Sequence, residues 1–201
     1  MTNHIVNKYA IIVAGGSGKR MKAAIPKQFL LLSGKPILLH TVERFLEIGG
    51  CEIVLVLPKT EQEYWKKEVV GKYPDSSIQK SNRIQIADGG VTRFQSVKNG
   101  LSKIATGKGV VAVHDGVRPL VTKEILEKSF IEAEIHGAVV TSVPLKDSIR
   151  EVKDRQNKAV DRSNYRLMQT PQTFDLQLLK SAYEQVESPL FTDDASVVEE
   201  L

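Results

Sequence analysis

Tyr9-Ala10-Ile11-Ile12-Val13-Ala14-Gly15-Gly16-Ser17-Gly18-Lys19-Arg20-Met21 decides the fold: an unbroken apolar run feeds a glycine loop that ends in cations. A half-exposed strand alternates apolar with polar residues, whereas a run without alternation suits a strand covered on both faces, as in parallel sheets. Residues 9–13 therefore read as a first, buried strand. Beyond the loop, Pro36 stands at a first helical position before residues 37–46, whose apolar spacing suits a helix closed by Gly49-Gly50. Residues 52–57 repeat the buried-strand pattern. The chain then predicts a helix near 61–70, a strand at 83–87, a helix near 93–104 and a strand at 110–114. A helix near 123–136 and a strand at 138–143 follow. This alternation implies right-handed βαβ units: an α/β fold with a mainly parallel sheet covered by helices.

Residues 144–164 break the rhythm with Lys146, Asp147, Lys153, Asp154, Arg155 and Lys158 and little core material. Two readings stay open there, a surface loop and a projecting hairpin arm built from β-prone pieces such as Ser148-Ile149-Arg150-Glu151-Val152. The chain re-enters the body near 165–169, and a helix follows at about 176–186. No repeat, low-complexity tract or linker divides the 201 residues, so a single domain with one arm is expected.

The formal charge of +4 suits either nucleic acid or small polyanions. The basic residues are dispersed, several beside loop glycines, and only 6% of residues are aromatic, which favours small phosphates and no nucleic acid. Residues 1–9 lack the apolar core of a secretory signal. No stretch approaches the roughly 18 apolar residues of a membrane span. The lone Cys51 cannot form an intrachain disulfide and reads as a buried small residue. A reducing cytoplasm is the expected location.

Glycines at the carboxyl end of a buried strand let backbone N–H groups approach a phosphate, and Arg20 and Lys27 can neutralise a triphosphate. The loop 14–21 with Pro26-Lys27-Gln28 thus reads as a nucleotide cradle, set against a plain tight turn with solvated cations. It fits neither the dinucleotide fingerprint, since Met21 stands at the third glycine, nor the NTPase phosphate loop, since Arg20 follows Gly18-Lys19. Asp88-Gly89-Gly90, with Arg93 and Ser96 behind it, forms a second glycine turn on the same edge. The alternative there is a turn with Thr92 capping the next helix. His114-Asp115-Gly116-Val117-Arg118-Pro119 ends the next strand with Asp115 suited to a metal or ribose and Arg118 to a phosphate, or with both in a salt-bridged turn. His114 reads as a packed strand-end residue. The four histidines and one cysteine show no zinc spacing. Pro171 and Phe174 read as packing residues, and Thr192-Asp193-Asp194-Ala195-Ser196 as a helix start capped by Thr192.

Taken in order, these motifs and Asp161-Arg162 and Thr170-Pro171-Gln172 resemble the 2-C-methyl-D-erythritol 4-phosphate cytidylyltransferase family, nearly end to end. The resemblance implies a Rossmann-like domain, a mainly parallel twisted sheet with helices on both faces and a projecting β-arm. It implies an enzyme that binds CTP with Mg2+ and transfers the cytidylyl group to a polyol phosphate. It also implies a homodimer through the arm, one subunit's arm reaching over the other's site. By the same resemblance Ala14, Gly15, Gly16, Ser17, Gly18, Gly90, Ser96 and Asp115 surround the nucleotide, and Asp115 meets the metal. Arg20 and Lys27 are the catalytic cations. Arg118, Ser148, Arg162 and Thr192 bind the acceptor, Ser148 and Arg162 coming from the partner's arm.

Two departures accompany the resemblance. Val91 stands where some relatives carry an acidic residue, so cytosine contacts there rely on backbone. Relatives also continue past the Thr192–Ser196 segment with a strand and helix that carry a lysine near the acceptor phosphate. That leads to the expectation that the C-terminal strand and helix are absent here. Three rival readings follow: the sister ribitol-5-phosphate cytidylyltransferase, which shares the glycine loop and the His-Asp-x-x-Arg-Pro segment; a sugar-nucleotide pyrophosphorylase using another NTP; and a CTP-binding module without catalysis. Asp161-Arg162 and the Thr192–Ser196 segment look more like the methylerythritol enzyme.

Overall fold

Side chains that must be covered on both sides put Asn7–Val13 (β1) in the interior of a sheet. Ala10 and Ile12 enter one core and Ile11 the opposite one, so both faces are apolar and no alternation shows in the sequence. The computed structural model describes residues 6–15, 25–105 and 107–201.

After β1, a small hairpin of Leu31–Leu32 (β2) and Lys35–Pro36 (β3) leads into Ile37–Leu46 (α1). Pro36 sits one place earlier than expected, as the extended residue before the helix, because its backbone still pairs with Leu31. Cys51–Leu57 (β4), Lys59–Tyr64 (α2), Ile84–Asp88 (β5), Arg93–Leu101 (α3) and Gly109–Asp115 (β6) follow. A π-helical turn at Trp65–Val70 continues α2 and buries Trp65 and Val69. Next are Lys123–His136 (α4), capped by Thr122 and closed by left-handed Gly137, and Ala138–Pro144 (β7). Arg150–Lys153 (β8) and Gln156–Ala159 (β9) form the arm. Arg166–Asp175 (β10), Leu176–Ala182 (α5) and Asp194–Glu199 (α6) complete the order.

The main sheet runs β5-β4-β1-β6-β10-β7. β5, β4, β1 and β6 are parallel, while β10 is antiparallel to both β6 and β7. The sheet is therefore mainly parallel with one reversed strand. That strand differs from the sequence reading, in which residues 170–174 formed a cluster ahead of a helix. Pro171 hides a strand in the sequence because proline donates nothing to a ladder. It is accommodated where the β10–β7 register breaks between Met168 and Gln172, next to a cis Thr170–Pro171 bond. α1 and α4 cover one face of the sheet through Leu38, Phe45 and Phe130, and α3, α5 and α6 cover the other through Phe94, Leu179 and Val197. α5 stops at Ala182, short of the expected 186, and the next residue, Tyr183, stacks its buried ring on Phe94 at 4.6 Å.

Residues 150–159 resolve the open choice in favour of a hairpin. β8 and β9 pair antiparallel, and Asp154 and Arg155 make the turn at φ 49° and 64°. Positive φ at both central residues matches the twist of a two-residue hairpin. No helix among the described residues is long and apolar enough to cross a membrane.

Candidate active site

Parallel strands deliver their carboxyl ends to one edge, and open α/β sheets bind ligands there. Here the ladders run past the strand ends and stitch the turns together. The Ala14 N–H donates to the Val56 carbonyl (3.0 Å), Gly89 N–H to Leu57 (2.8 Å) and Gly116 N–H to Val13 (2.8 Å). The turns after β1, β5 and β6 thereby bound one cleft of ≈ 360 Å³, and Ala14, Gly15, Lys27, Gly90, Ser96 and Asp115 line it. Gly16, Ser17, Gly18 and Arg20 lie outside the described residues.

The turns after β5 and β6 are locked locally. Ser96 Oγ accepts the Gly90 N–H (3.0 Å) and donates to the Thr92 carbonyl (2.8 Å), which buries it behind the second turn. A Cβ at Gly90 would stand 2.3 Å from Gln95 Cβ, so only glycine lets α3 begin this close to the rim. Thr92 does cap α3, accepting from the Gln95 N–H (3.1 Å), so capping and cleft lining coexist at this turn. Val91 is 96% exposed, with its N–H donated to Gln95 Oε1.

At the third turn Asp115 is held from two sides. Arg118 Nε donates to Oδ2 at 2.8 Å and Arg93 Nε stands 3.9 Å from Oδ1, while Thr170 Oγ1 receives the Asp115 N–H. The salt-bridged turn foreseen for Asp115 and Arg118 is thus present at the cleft wall. Arg118 also donates to Gln169 Oε1. His114 is fully buried, its ring 5.2 Å from that of Phe45. Burial pushes its pKa down to about 4, so it stays neutral, in keeping with a packed residue. The buried Cys51 thiol is pushed up to about 12 for the same reason.

Lys27 opens a 3-10 turn, Lys27–Phe29, and also lines the cleft. Gln28, beside it, is buried and donates to the Ala14 carbonyl (2.9 Å) and to Glu61 Oε2 (2.5 Å). Two acceptors facing one amide fix its orientation. Burial raises the Glu61 pKa, and the bond from Gln28 opposes that shift.

The family model described as 2-C-methyl-D-erythritol 4-phosphate cytidylyltransferase matches residues 8–201. The chain belongs to this family. A relative of that name from Porphyromonas gingivalis is 50% identical over 192 residues, covering 96% of this chain and 83% of its own. One from Bacteroides fragilis is 46% identical over 191 residues, covering 94% and 84%. Among solved structures, the 4-diphosphocytidyl-2C-methyl-D-erythritol synthase of Anaerococcus prevotii aligns with a TM-score of 0.80 at 28% identity, covering 97% of this chain and 82% of that one. The 2-C-methyl-D-erythritol 4-phosphate cytidylyltransferase of Francisella tularensis aligns with a TM-score of 0.73 at 29% identity, covering 96% and 86%. As a cytidylyltransferase of this family, the chain is a nucleotidyltransferase.

The acceptor residues implied by the cytidylyltransferase resemblance are not all brought together. Arg118 flanks the cleft through Asp115. Ser148 and Arg162 instead line a separate hollow of ≈ 440 Å³ at the foot of the arm, where Arg162 donates to the Lys146 carbonyl. Thr192 is exposed and does not cap α6. The cap is Asp193, one residue later: its carboxylate accepts the Ser196 N–H (3.0 Å), and Ser196 Oγ accepts the N–H groups of Thr192 (3.0 Å) and Asp193 (3.2 Å). Three consecutive polar residues make the cap position ambiguous in sequence, and Gln172 settles it by donating to Asp193 Oδ2 (2.8 Å) and accepting from the Ala195 N–H (2.9 Å).

Two residues that line this cytidylyltransferase cleft have roles with no signal in the sequence. Gln28 stands in the Pro26-Lys27-Gln28 motif, but its partner Glu61 is 33 positions away. Arg93 stands behind the second glycine turn, yet its guanidinium makes a two-pronged bond to Asp194, 101 positions away. Neither partner carries a local signal. Among the described residues no three His, Cys, Asp or Glu side chains could hold a metal. Asp115 is the one carboxylate among the described residues that line the cleft. That suits a hard cation taking most of its ligands from phosphate and water, as magnesium does, rather than a protein-caged zinc.

Proposed function

We propose that this chain condenses CTP with 2-C-methyl-D-erythritol 4-phosphate, giving 4-diphosphocytidyl-2-C-methyl-D-erythritol and pyrophosphate in non-mevalonate isoprenoid biosynthesis. The observation that carries the reading is the convergence of Gly15, Gly90 and Asp115 on one cleft with Lys27, in a chain of this family. A phosphate oxygen of the acceptor attacks the α-phosphorus of CTP. The new P–O bond forms as the α–β bridging P–O bond breaks, and the electron pair leaves with pyrophosphate. The attacking phosphate is already anionic, so no protein nucleophile is needed, and catalysis rests on positioning and charge stabilisation.

In this reading Ala14, Gly15, Gly16, Ser17, Gly18 and Gly90 approach the nucleotide through backbone, and Ser96 holds the Gly90 turn. Arg20 and Lys27 stabilise the charge that builds on the α-phosphate and the leaving pyrophosphate. Asp115 is the carboxylate for Mg2+, which when bound neutralises triphosphate charge. Arg118 and Thr192 bind the acceptor from the same chain. Ser148 and Arg162 come from the partner's arm in a homodimer, a reading supported by their separation from the cleft of their own chain.

The test is pyrophosphate release from CTP or UTP with methylerythritol phosphate or ribitol 5-phosphate. CTP with methylerythritol phosphate should be fastest by about tenfold or more, the discrimination that a polar site can supply. Faster release with ribitol 5-phosphate would overturn the acceptor, and preference for UTP would overturn the nucleotide. Binding of CTP without turnover by a folded dimer would support the binding-module reading instead.

A further inference from the structure

Arg93 is the first residue of α3, where a cation opposes the positive end of the helix dipole. Two carboxylates from distant parts of the chain hold it there. Its Nη1 and Nη2 donate to Asp194 Oδ1 (2.9 Å) and Oδ2 (2.6 Å), and its Nε faces Asp115 Oδ1 at 3.9 Å. Asp194 is fully buried, and its Oδ1 also accepts the Tyr183 hydroxyl (2.6 Å). Burial works against the Arg93 charge, yet Asp194 more than offsets it and holds the guanidinium pKa above its ordinary value. A planar fork matched to a carboxylate fixes direction as well as distance, which an ammonium cannot do.

The consequence is geometric. Asp194 opens α6 directly after Thr192 and Asp193, whereas Asp115 ends β6 in the nucleotide cleft. One guanidinium therefore spans the nucleotide side and the α6 side of the site. We propose that Arg93 is a positioning residue: it sets the Asp115 carboxylate and the 192–196 segment in one frame, so that nucleotide binding orders the acceptor side. This rests on the cytidylyltransferase reading above. A purely structural tie between α3 and α6 would affect melting but would not transmit nucleotide binding.

Arg93→Lys keeps the charge and removes the fork, and Tyr183→Phe removes only the hydroxyl on Asp194. The measurements are melting, CTP affinity by calorimetry, kcat and acceptor KM from pyrophosphate release, and hydrogen exchange of amides 193–197 with and without CTP. In the wild type, CTP should slow exchange at 193–197. Arg93→Lys should bind CTP within about threefold of wild type, lose that slowing, and lower kcat/KM for the acceptor by roughly tenfold or more, as expected when one prong of a charged pair is lost. Tyr183→Phe should keep the slowing and act as the folded control. Equal slowing in Arg93→Lys and wild type, or acceptor kcat/KM unchanged in Arg93→Lys, would overturn the proposal. A wild type that releases no pyrophosphate would instead fail the functional reading, and the exchange comparison would then decide the coupling alone.

Discussion

At the rim, Ala14, Gly89 and Gly116 extend ladders anchored on β1, β4 and β6, strands buried on both faces. At the arm, every residue of β8 and β9 is exposed, and the pairing from Arg150–Ala159 to Lys153–Gln156 stands on backbone bonds, a hydrogen bond from Arg150 Nε to Asn157 Oδ1 and a Lys158–Glu151 ion pair at 2.8 Å. Exposed ion pairs contribute about 0–1 kcal/mol, and a lone two-stranded hairpin is marginal in water. The rim is thus shaped before any ligand arrives, by the same burial that stabilises the sheet. The arm takes its shape from its turn and leaves Val152 exposed; in the proposed homodimer a partner's surface would complete it.

The largest effect is expected at the rim. Lys27→Ala should lower turnover by about 100-fold or more while CTP affinity changes by less than about fivefold, because the lost interaction is made mainly in the transition state. Calorimetry alongside pyrophosphate release separates the two, and collapsed binding with preserved saturating turnover would refute the proposed role of Lys27.

Beneath the rim, His114 links stability to pH. Its folded pKa of about 4 lies below the ordinary 6.5, so the unfolded chain takes up the proton first. Stability is whole above pH 6.5 and falls as pH drops towards 4, by roughly 3 kcal/mol at full extent. Urea unfolding of wild type and His114→Gln at pH 7.5, 5.5 and 4.5 checks this. The variant should start less stable, having lost the Phe45 contact, and show a flatter pH slope; equal slopes would contradict the assignment.

The arm should respond in the opposite way. Arg162→Ala is expected to raise the acceptor KM by about tenfold, the scale of one charged hydrogen bond, with melting within about 1 °C of wild type. A drop of several degrees would show that the arm shares the stability of the body and would erase the contrast. The smallest effect belongs to Arg155→Gly, which relieves a left-handed φ that costs a side chain about 1 kcal/mol. Amide exchange within 150–159 should slow while melting of the whole chain stays unchanged.

Much of this was legible because the signals are short-range. The double-sided burial of Ile11 and Ile12, the extent of α4 over 123–136 and the glycine turn after β5 are each written in neighbouring residues. The arm was only half legible. Its strands are β-prone, but its Asp154-Arg155 turn lacks the glycine that usually marks such hairpins. The reversed β10 was hidden by Pro171, and the α6 cap was displaced by one residue because Gln172, on another strand, chose Asp193 over Thr192.

The sequence by itself determined which segments are strands buried on both faces, which end in glycine, and which residue types stand at those ends. Periodicity and turn chemistry are properties of neighbours along the chain. Only the tertiary structure decided the strand order, the reversal of β10 and the meeting of Arg93 with both Asp194 and Asp115. Those depend on which apolar faces pack together, and a buried charge finds its counter-charge only after that packing has brought distant residues within ion-pair reach.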